Sequence, residues 1–123
     1  MRILIVDDEP EFVAVVSEYL TRGGHDVQGI TDGRDTLEMM GQANYEAVIL
    51  DVVMPRTNGL RLVHHIRERF PEVAVIVMSG IMDVRVAVQA AQAGADACFD
   101  KVLGFDTIVK YLAAWRPVVV VTA

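Results

Sequence analysis

Cysteine is almost absent from this chain, with Cys98 the only one among 123 residues. A single thiol excludes a disulfide within the chain and a metal site built from several cysteines, and it indicates a reducing compartment. Long apolar runs are missing too. No stretch approaches the roughly 20 apolar residues that a membrane-spanning helix requires, and no signal-peptide pattern follows Met1. We therefore expect a cytoplasmic protein without a membrane partner.

Positive charge is also scarce, because 11 lysine and arginine residues oppose 17 aspartate and glutamate residues and leave a net charge of −6. Nucleic-acid binding requires a clustered basic surface, so we expect no direct binding to nucleic acid. The one local basic group is Arg61, Arg67 and Arg69 around His64 and His65. Its helical context favours a solvated helix face.

What the chain does contain is a regular alternation of short apolar runs and amphipathic segments, within a length typical of one domain. Five runs predict β-strands, at residues 3–6, 25–30, 47–50, 73–78 and 95–100. Apolar residues recur at helical spacing in five further segments, which begin near Pro10, Leu37, Leu60, Val84 and Phe105. The alternation predicts an α/β fold with a parallel sheet.

The polarity of the runs predicts the order of the strands. Runs 3–6, 47–50 and 73–78 are almost wholly apolar, as central strands buried on both faces should be. The more polar run 25–30 suits an edge. We therefore predict a flavodoxin-like (βα)5 three-layer sandwich whose five-stranded parallel sheet has the order 2-1-3-4-5. Ligands of such sheets bind outside the carboxyl ends of the strands, here between strands one and three.

Polar side chains follow four of the predicted strands. Asp7 and Asp8 follow the first, Asp51 the third, Ser79 the fourth and Lys101 the fifth. Taken singly, each has a structural explanation as a helix start, a turn residue or a surface lysine. Together they favour a site, since crowded carboxylates bind hard divalent cations such as Mg²⁺, and lysine and serine suit phosphate oxygens. No histidine joins them, so a Ser-His-Asp hydrolase does not fit.

Four motifs resemble the receiver (REC) domain of bacterial two-component response regulators. They are Asp7-Asp8-Glu9-Pro10, Asp51-Val52-Val53-Met54-Pro55 with Gly59, Ser79-Gly80, and Lys101 after Gly94-Ala95-Asp96. The likeness covers residues 1 to about 115 in the order and spacing of the family. We accordingly predict a receiver domain over 1–115 and a separate apolar tail over 116–123.

The resemblance implies a role for each of these residues. Asp51 would be the phosphoacceptor, taking a phosphoryl group from a sensor histidine kinase or a phosphotransfer protein. Asp8, Asp51 and the backbone carbonyl of Val53 would bind Mg²⁺, Asp7 would act nearby through water, and Ser79 and Lys101 would contact the phosphoryl oxygens. The face from helix four to helix five would then signal to a downstream output domain or target protein. A homodimer is left open.

Three positions depart from the family pattern. Val102 stands where a proline usually follows the lysine, and Cys98 occupies the switch position that usually holds Tyr or Phe. We interpret Cys98 as a buried packing residue rather than a redox sensor. The adjacent Phe99 faces the other side of the strand, so it is no direct substitute. Val53 places an apolar side chain at the mouth of the site and predicts slow attack of water on the acyl phosphate.

Several alternatives were weighed against a phosphorylated receiver. A receiver-like interaction module that acts without phosphorylation is compatible with Cys98 and Val102. A phosphatase of the haloacid dehalogenase type would need a second aspartate where Val53 stands, and a dinucleotide-binding fold would need a glycine-rich turn after the first strand. The valines of the tail fit an added strand, a dimer contact or the stub of a linker.

Overall fold

The computed structural model describes residues 1–101 and 105–114. Its strands are β1 (Arg2–Val6), β2 (Asp26–Ile30), β3 (Ala47–Asp51), β4 (Ala74–Ser79) and β5 (Ala97–Asp100). The helices are α1 (Pro10–Arg22), α2 (Thr36–Gln42), α3 (Gly59–Arg69), α4 (Val84–Ala93) and α5 (Phe105–Ala114). The five strands form one parallel sheet in the order β2-β1-β3-β4-β5. The predicted flavodoxin-like fold is confirmed.

Alternating side chains of the central strands divide the core between the two faces of the sheet. Val48 and Leu50 of β3 pack in a cluster with residues of α2, α3 and α4. Ala47 and Ile49 pack in a second cluster with residues of α1 and α5. Every residue of β3 and β4 is buried, whereas β2 is partly exposed along its length. The sheet is therefore covered by helices on both sides, which explains why its central strands read as unbroken apolar runs.

Local signals in the sequence fix where the helices begin and end. Pro10 opens α1, where its missing N–H leaves no bond unmade. The side chains of Asn58 and Asp83 accept hydrogen bonds from Arg61 N and Val86 N and so cap α3 and α4. Gly94 ends α4 with a φ of 117°, a left-handed conformation that glycine adopts without strain.

Two short elements were not predicted. A small antiparallel hairpin, Val53–Met54 with Thr57–Asn58, follows β3. A single 3₁₀ turn, Gly33–Asp35, precedes α2 and packs on this hairpin; a Cβ at Gly33 would lie 2.8 Å from Thr57 Oγ1. Strands of two residues are too short to show a period of two.

Two of the predictions fall on residues that are not described. Val102 and the tail 116–123 lie outside the described residues, and so does Trp115. Within 1–101 and 105–114, no helix has the length and apolar character that crossing a bilayer demands.

Candidate functional site

The site is built on the carboxyl ends of four parallel strands. Asp7 comes directly after β1, Asp51 is the last residue of β3, Ser79 is the last residue of β4 and Lys101 comes directly after β5. Backbone hydrogen bonds continue the sheet into these loops: Asp7 N donates to Ile30 O at 3.2 Å, Val52 N to Met78 O at 3.1 Å and Lys101 N to Ser79 O at 3.0 Å. The rim is thus held by the sheet itself.

A buried lysine connects the acidic side chains. The Nζ of Lys101 lies 2.9 Å from Asp7 Oδ2, 2.5 Å from Glu9 Oε1 and 3.2 Å from Asp51 Oδ2. It also lies 4.7 Å from the centre of the Phe12 ring, at a distance typical of a cation–π contact. The structure therefore brings together side chains that are separated by up to 94 positions in the sequence.

Asp51 is held from two sides and is almost wholly buried, with 4% of its surface exposed. The Val53 amide donates to its Oδ1 at 2.8 Å, and Lys101 donates to its Oδ2. Gly59 fixes the loop that carries these contacts, because a Cβ there would lie 2.4 Å from Val52 Cα. The role predicted for the Val53 carbonyl as a metal ligand stays a prediction.

Three carboxylates of the site have the arrangement that a divalent cation requires. Ligand oxygens of Asp7, Asp8 and Asp51 all lie within 4.8 Å of one another. Asp7 is wholly buried, and its Oδ2 has no hydrogen-bond partner although it lies 2.9 Å from Lys101 Nζ. Three carboxylates this close together, with one lysine to balance them, fit a hard cation with oxygen ligands, such as Mg²⁺.

The electrostatics of the pocket follow from burial and from this excess of negative charge. Burial raises the pKa of Asp7, although the hydrogen bonds from Lys101 and the Glu9 amide partly oppose it. Burial alone would lower the pKa of Lys101, but its hydrogen bonds to Glu9, Asp7 and Asp51 outweigh that effect and raise the pKa. Lys101 is therefore a permanent cation at physiological pH.

Ser79 lies at the rim but is turned into its own loop. It is wholly buried; its hydroxyl donates to Ile81 O at 3.0 Å and accepts from Ile81 N at 3.1 Å. Contact with a phosphoryl group at Asp51 would therefore require the loop after β4 to rearrange. Its predicted phosphate contact stays a prediction.

Cys98, at the atypical switch position, and its neighbour Phe99 face opposite sides of β5, as expected. Cys98 packs in the cluster with α2, α3 and α4, and its Sγ lies 3.9 Å from Ala87 O. Phe99 packs in the other cluster, where its ring meets the Tyr111 ring edge to face at 5.7 Å. Burial raises the pKa of the Cys98 thiol, which favours the neutral, unreactive form and agrees with a packing role.

Glu9 and Phe12 both contact the Lys101 ammonium, although neither was predicted to belong to the site. Glu9 entered the prediction only as part of the motif Asp7-Asp8-Glu9-Pro10. The available signal was their place within six residues of the first strand's end, at the same rim as the aspartates.

Comparisons with known proteins agree with this geometry. Residues 3–113 match the family model of the response regulator receiver domain. The transcriptional regulatory protein TcrA of Mycobacterium tuberculosis is 30% identical over 93% of this chain, but the match covers only 45% of TcrA. The chain thus spans about half the length of this curated relative.

Solved structures are also similar. The response regulator TrrA of Thermotoga maritima, in complex with Mg²⁺ and BeF, has a TM-score of 0.81 and 29% identity, covering 91% of this chain and 96% of that one. A Burkholderia pseudomallei response regulator with a phosphorylated aspartic acid and a calcium ion has a TM-score of 0.82 and 25% identity, covering 88% and 64%. Since the family model spans nearly the whole described chain, this chain belongs to the response regulator receiver domain family.

Proposed function

We propose that this chain is a signalling receiver that accepts a phosphoryl group on Asp51. The observation that carries the proposal is the juxtaposition of three carboxylates, with oxygens within 4.8 Å of one another, and one buried lysine. A carboxylate needs no general base to attack phosphorus, so positioning and charge neutralisation supply most of the catalysis.

The step itself transfers one phosphoryl group. An oxygen of Asp51 attacks phosphorus in line with the bond to the donor nitrogen, the new O–P bond forms, and the P–N bond of phosphohistidine breaks. The imidazole leaves with the electron pair and takes up a proton, which leaves an acyl phosphate on Asp51. Val53 N–H, which donates to Asp51 Oδ1, holds the carboxylate in one orientation.

A bound Mg²⁺ would supply charge neutralisation between the attacking carboxylate and the phosphoryl oxygens. Asp8 and Asp51, with Asp7 directly or through water and with the Val53 carbonyl, are the residues that would hold it. Two facts support this assignment: the close approach of the Asp7, Asp8 and Asp51 oxygens, and the Mg²⁺ and BeF named with the Thermotoga maritima relative. Lys101 would stabilise the phosphoryl oxygens by charge, and Ser79 by a hydrogen bond once its loop rearranges.

The proposal extends to partners and output. We propose a sensor histidine kinase or a phosphotransfer protein as the donor, and an output domain or target protein that reads the face from α4 to α5. The relative TcrA is named as a transcriptional regulator and is about twice as long as the region matched, which supports an output of that kind. A new phosphate adds about −1.5 to −2 charges beside Lys101, enough to bias a two-state loop.

We further propose that any hydrolysis of the acyl phosphate by the chain itself is slow. The side chain of Val53 is apolar and 67% exposed at the mouth of the site, where it offers no hydrogen bond to an attacking water. A phosphoryl lifetime of seconds, measured by loss of the phosphorylated mass, would contradict this proposal.

The decisive experiment compares the chain with Asp51→Asn during incubation with acetyl phosphate and Mg²⁺. The wild type should gain the mass of one phosphoryl group, and Asp51→Asn should gain none. Asp106→Asn, at an exposed position of α5, is the matched control and should behave as the wild type. An unchanged wild-type mass, with candidate kinases as well as acetyl phosphate, would favour the interaction module that acts without phosphorylation.

A further inference from the structure

Glu9 makes a contact that the proposed phosphoryl transfer does not explain. Its Oε1 lies 2.5 Å from Lys101 Nζ, closer than the nearest oxygens of Asp7 at 2.9 Å and Asp51 at 3.2 Å. The Glu9 side chain is 66% exposed, whereas that of Asp51 is 6% exposed. The shortest contact of the buried ammonium is thus to the outermost of its three carboxylates.

The backbone explains why this carboxylate is available. Glu9 is the N-cap residue of α1, in an extended conformation, but its side chain makes no capping hydrogen bond. Pro10 follows it as the first residue of the helix. The Glu9 amide donates to Asp7 Oδ1 at 2.9 Å, which ties the residue to the rim. Its carboxylate is therefore directed to Lys101 instead of to the helix.

The contact with Glu9 uses one of the few hydrogen-bond donors of Lys101. An ammonium group has three N–H donors, and Lys101 donates to Asp7, Glu9 and Asp51. Phosphorylation removes the charge of the Asp51 carboxylate, so the donor that faces Asp51 Oδ2 is the first to become available to a phosphoryl oxygen. A second bond from Lys101 to the phosphoryl group requires the release of Asp7 or of Glu9. Asp7 is wholly buried, so its release would leave a charge without water. Glu9 is exposed, so water replaces Lys101 there at small cost.

We infer that Glu9 is a positioning residue that retains Lys101 while Asp51 is unmodified and competes with the phosphoryl oxygens for the same ammonium. The inference rests on the proposed phosphoacceptor function and deepens it. Glu9 thereby sets how strongly the pocket favours the phosphorylated form. Removal of its charge releases Lys101 to the phosphoryl group and stabilises that form.

Titration with beryllofluoride at saturating Mg²⁺ tests the competition, because this anion occupies the place of a phosphoryl group on an aspartate. Glu9→Gln should bind it about three- to fivefold more tightly than the wild type, in line with the strength of one partly exposed ion pair. Glu11→Gln removes the same charge from the first turn of α1 and is the matched control. It should change the affinity by less than about twofold.

A second readout needs neither Mg²⁺ nor beryllofluoride. The sequence has only two lysines, Lys101 and Lys110, so ¹⁵N labelling of lysine gives two ammonium signals, which Lys110→Arg assigns. The Lys101 signal should shift in Glu9→Gln and stay in place in Glu11→Gln. The exposed Lys110 should be unaffected in both variants.

The outcomes separate the two proposals. A wild type that binds no beryllofluoride overturns the phosphoacceptor function and the inference with it. A wild type that binds, with Glu9→Gln equal to Glu11→Gln, overturns the inference alone. Weaker binding by Glu9→Gln also overturns it, since Glu9 would then orient Lys101 toward the phosphoryl group instead of withholding it.

Discussion

Lys101 and Arg67 each lie inside a hydrogen-bond network, and the surroundings of these two cations differ in charge balance. Lys101 faces three carboxylates, those of Asp7, Glu9 and Asp51. Arg67 on α3 faces one carboxylate, that of Asp96, and donates to three backbone carbonyls. The first cluster is left with excess negative charge, whereas the second pairs one cation with one carboxylate.

The difference in charge balance distinguishes the functional site around Lys101 from the structural network around Arg67. Arg67 connects α3 to the carbonyls of Gly94, Pro71 and Val73, and Asp96 also accepts a hydrogen bond from Val75 N at 2.8 Å. Four of the five guanidinium N–H donors are used in that network, and its single positive charge is balanced by one carboxylate. Around Lys101, by contrast, the carboxylates outnumber the cation, and oxygens of Asp7, Asp8 and Asp51 lie within 4.8 Å of one another, close enough to share a divalent cation. Excess charge of one sign destabilises a fold and is retained where function needs it.

The largest expected effect comes from removal of Arg67. Arg67→Ala should lower the free energy of unfolding by about 2 kcal/mol, because it removes four hydrogen bonds, of which those to Gly94 O and Val73 O are partly buried. Arg67→Lys should recover less than half of this loss, since an ammonium cannot span the same acceptors. Urea denaturation measures both changes.

Arg69 is the control for that experiment. It is exposed and lies 5.6 Å from the centre of the Phe70 ring, so Arg69→Ala should cost at most about 1 kcal/mol. Equal losses for Arg67→Ala and Arg69→Ala would show that the Arg67 network contributes no special stability. Arg67 would then not be the stabilising counterpart of Lys101 that the comparison of the two clusters assumes.

The two clusters also show which features of the molecule can be predicted from its sequence. The sheet order and the rim residues could be predicted, because buried parallel strands leave unbroken apolar runs and their ends are visible in the sequence. Arg67 was assigned to a solvated helix face, and that interpretation is wrong. Its partners Gly94 and Asp96 lie 27 and 29 residues away, so no local period reveals them. Glu9 and Lys101 are separated by 92 residues, and their contact was missed for the same reason.

Binding of a divalent cation should change the free energy of unfolding by an intermediate amount, and only through the Lys101 cluster. Mg²⁺ at about ten times its dissociation constant should stabilise the wild type by about 1.4 kcal/mol, because only the folded state assembles the aspartates. Asp8→Asn should lose most of this gain, whereas Arg67→Lys should keep it in full despite its lower stability. Thermal unfolding with and without Mg²⁺ gives the comparison, and a gain retained by Asp8→Asn would remove that residue from the metal site.

The smallest expected effect is that of Asp7→Asn, which should stabilise the fold, whereas Arg67→Ala should destabilise it. Burial raises the pKa of Asp7 above its ordinary value of 3.8, so the folded state binds this proton more tightly than the unfolded state does. The stability gained by protonation is complete below that ordinary value and is lost as pH rises through the raised pKa. Without Mg²⁺, Asp7→Asn should therefore stabilise the chain by about 1 kcal/mol near pH 7 and much less near pH 4.

Urea denaturation at the two pH values, with Asp35→Asn as an exposed control expected to change stability by less than about 0.5 kcal/mol, tests this. A loss of stability near pH 7 in Asp7→Asn would mean that the bond to Lys101 outweighs the burial of the charge. In that case the acidic rim would be a stabilising network like that of Arg67. If Asp7→Asn is more stable than the wild type without Mg²⁺, saturating Mg²⁺ should abolish that difference by stabilising only the wild type. This result would show that the free-energy cost of burying the Asp7 charge maintains a cation site.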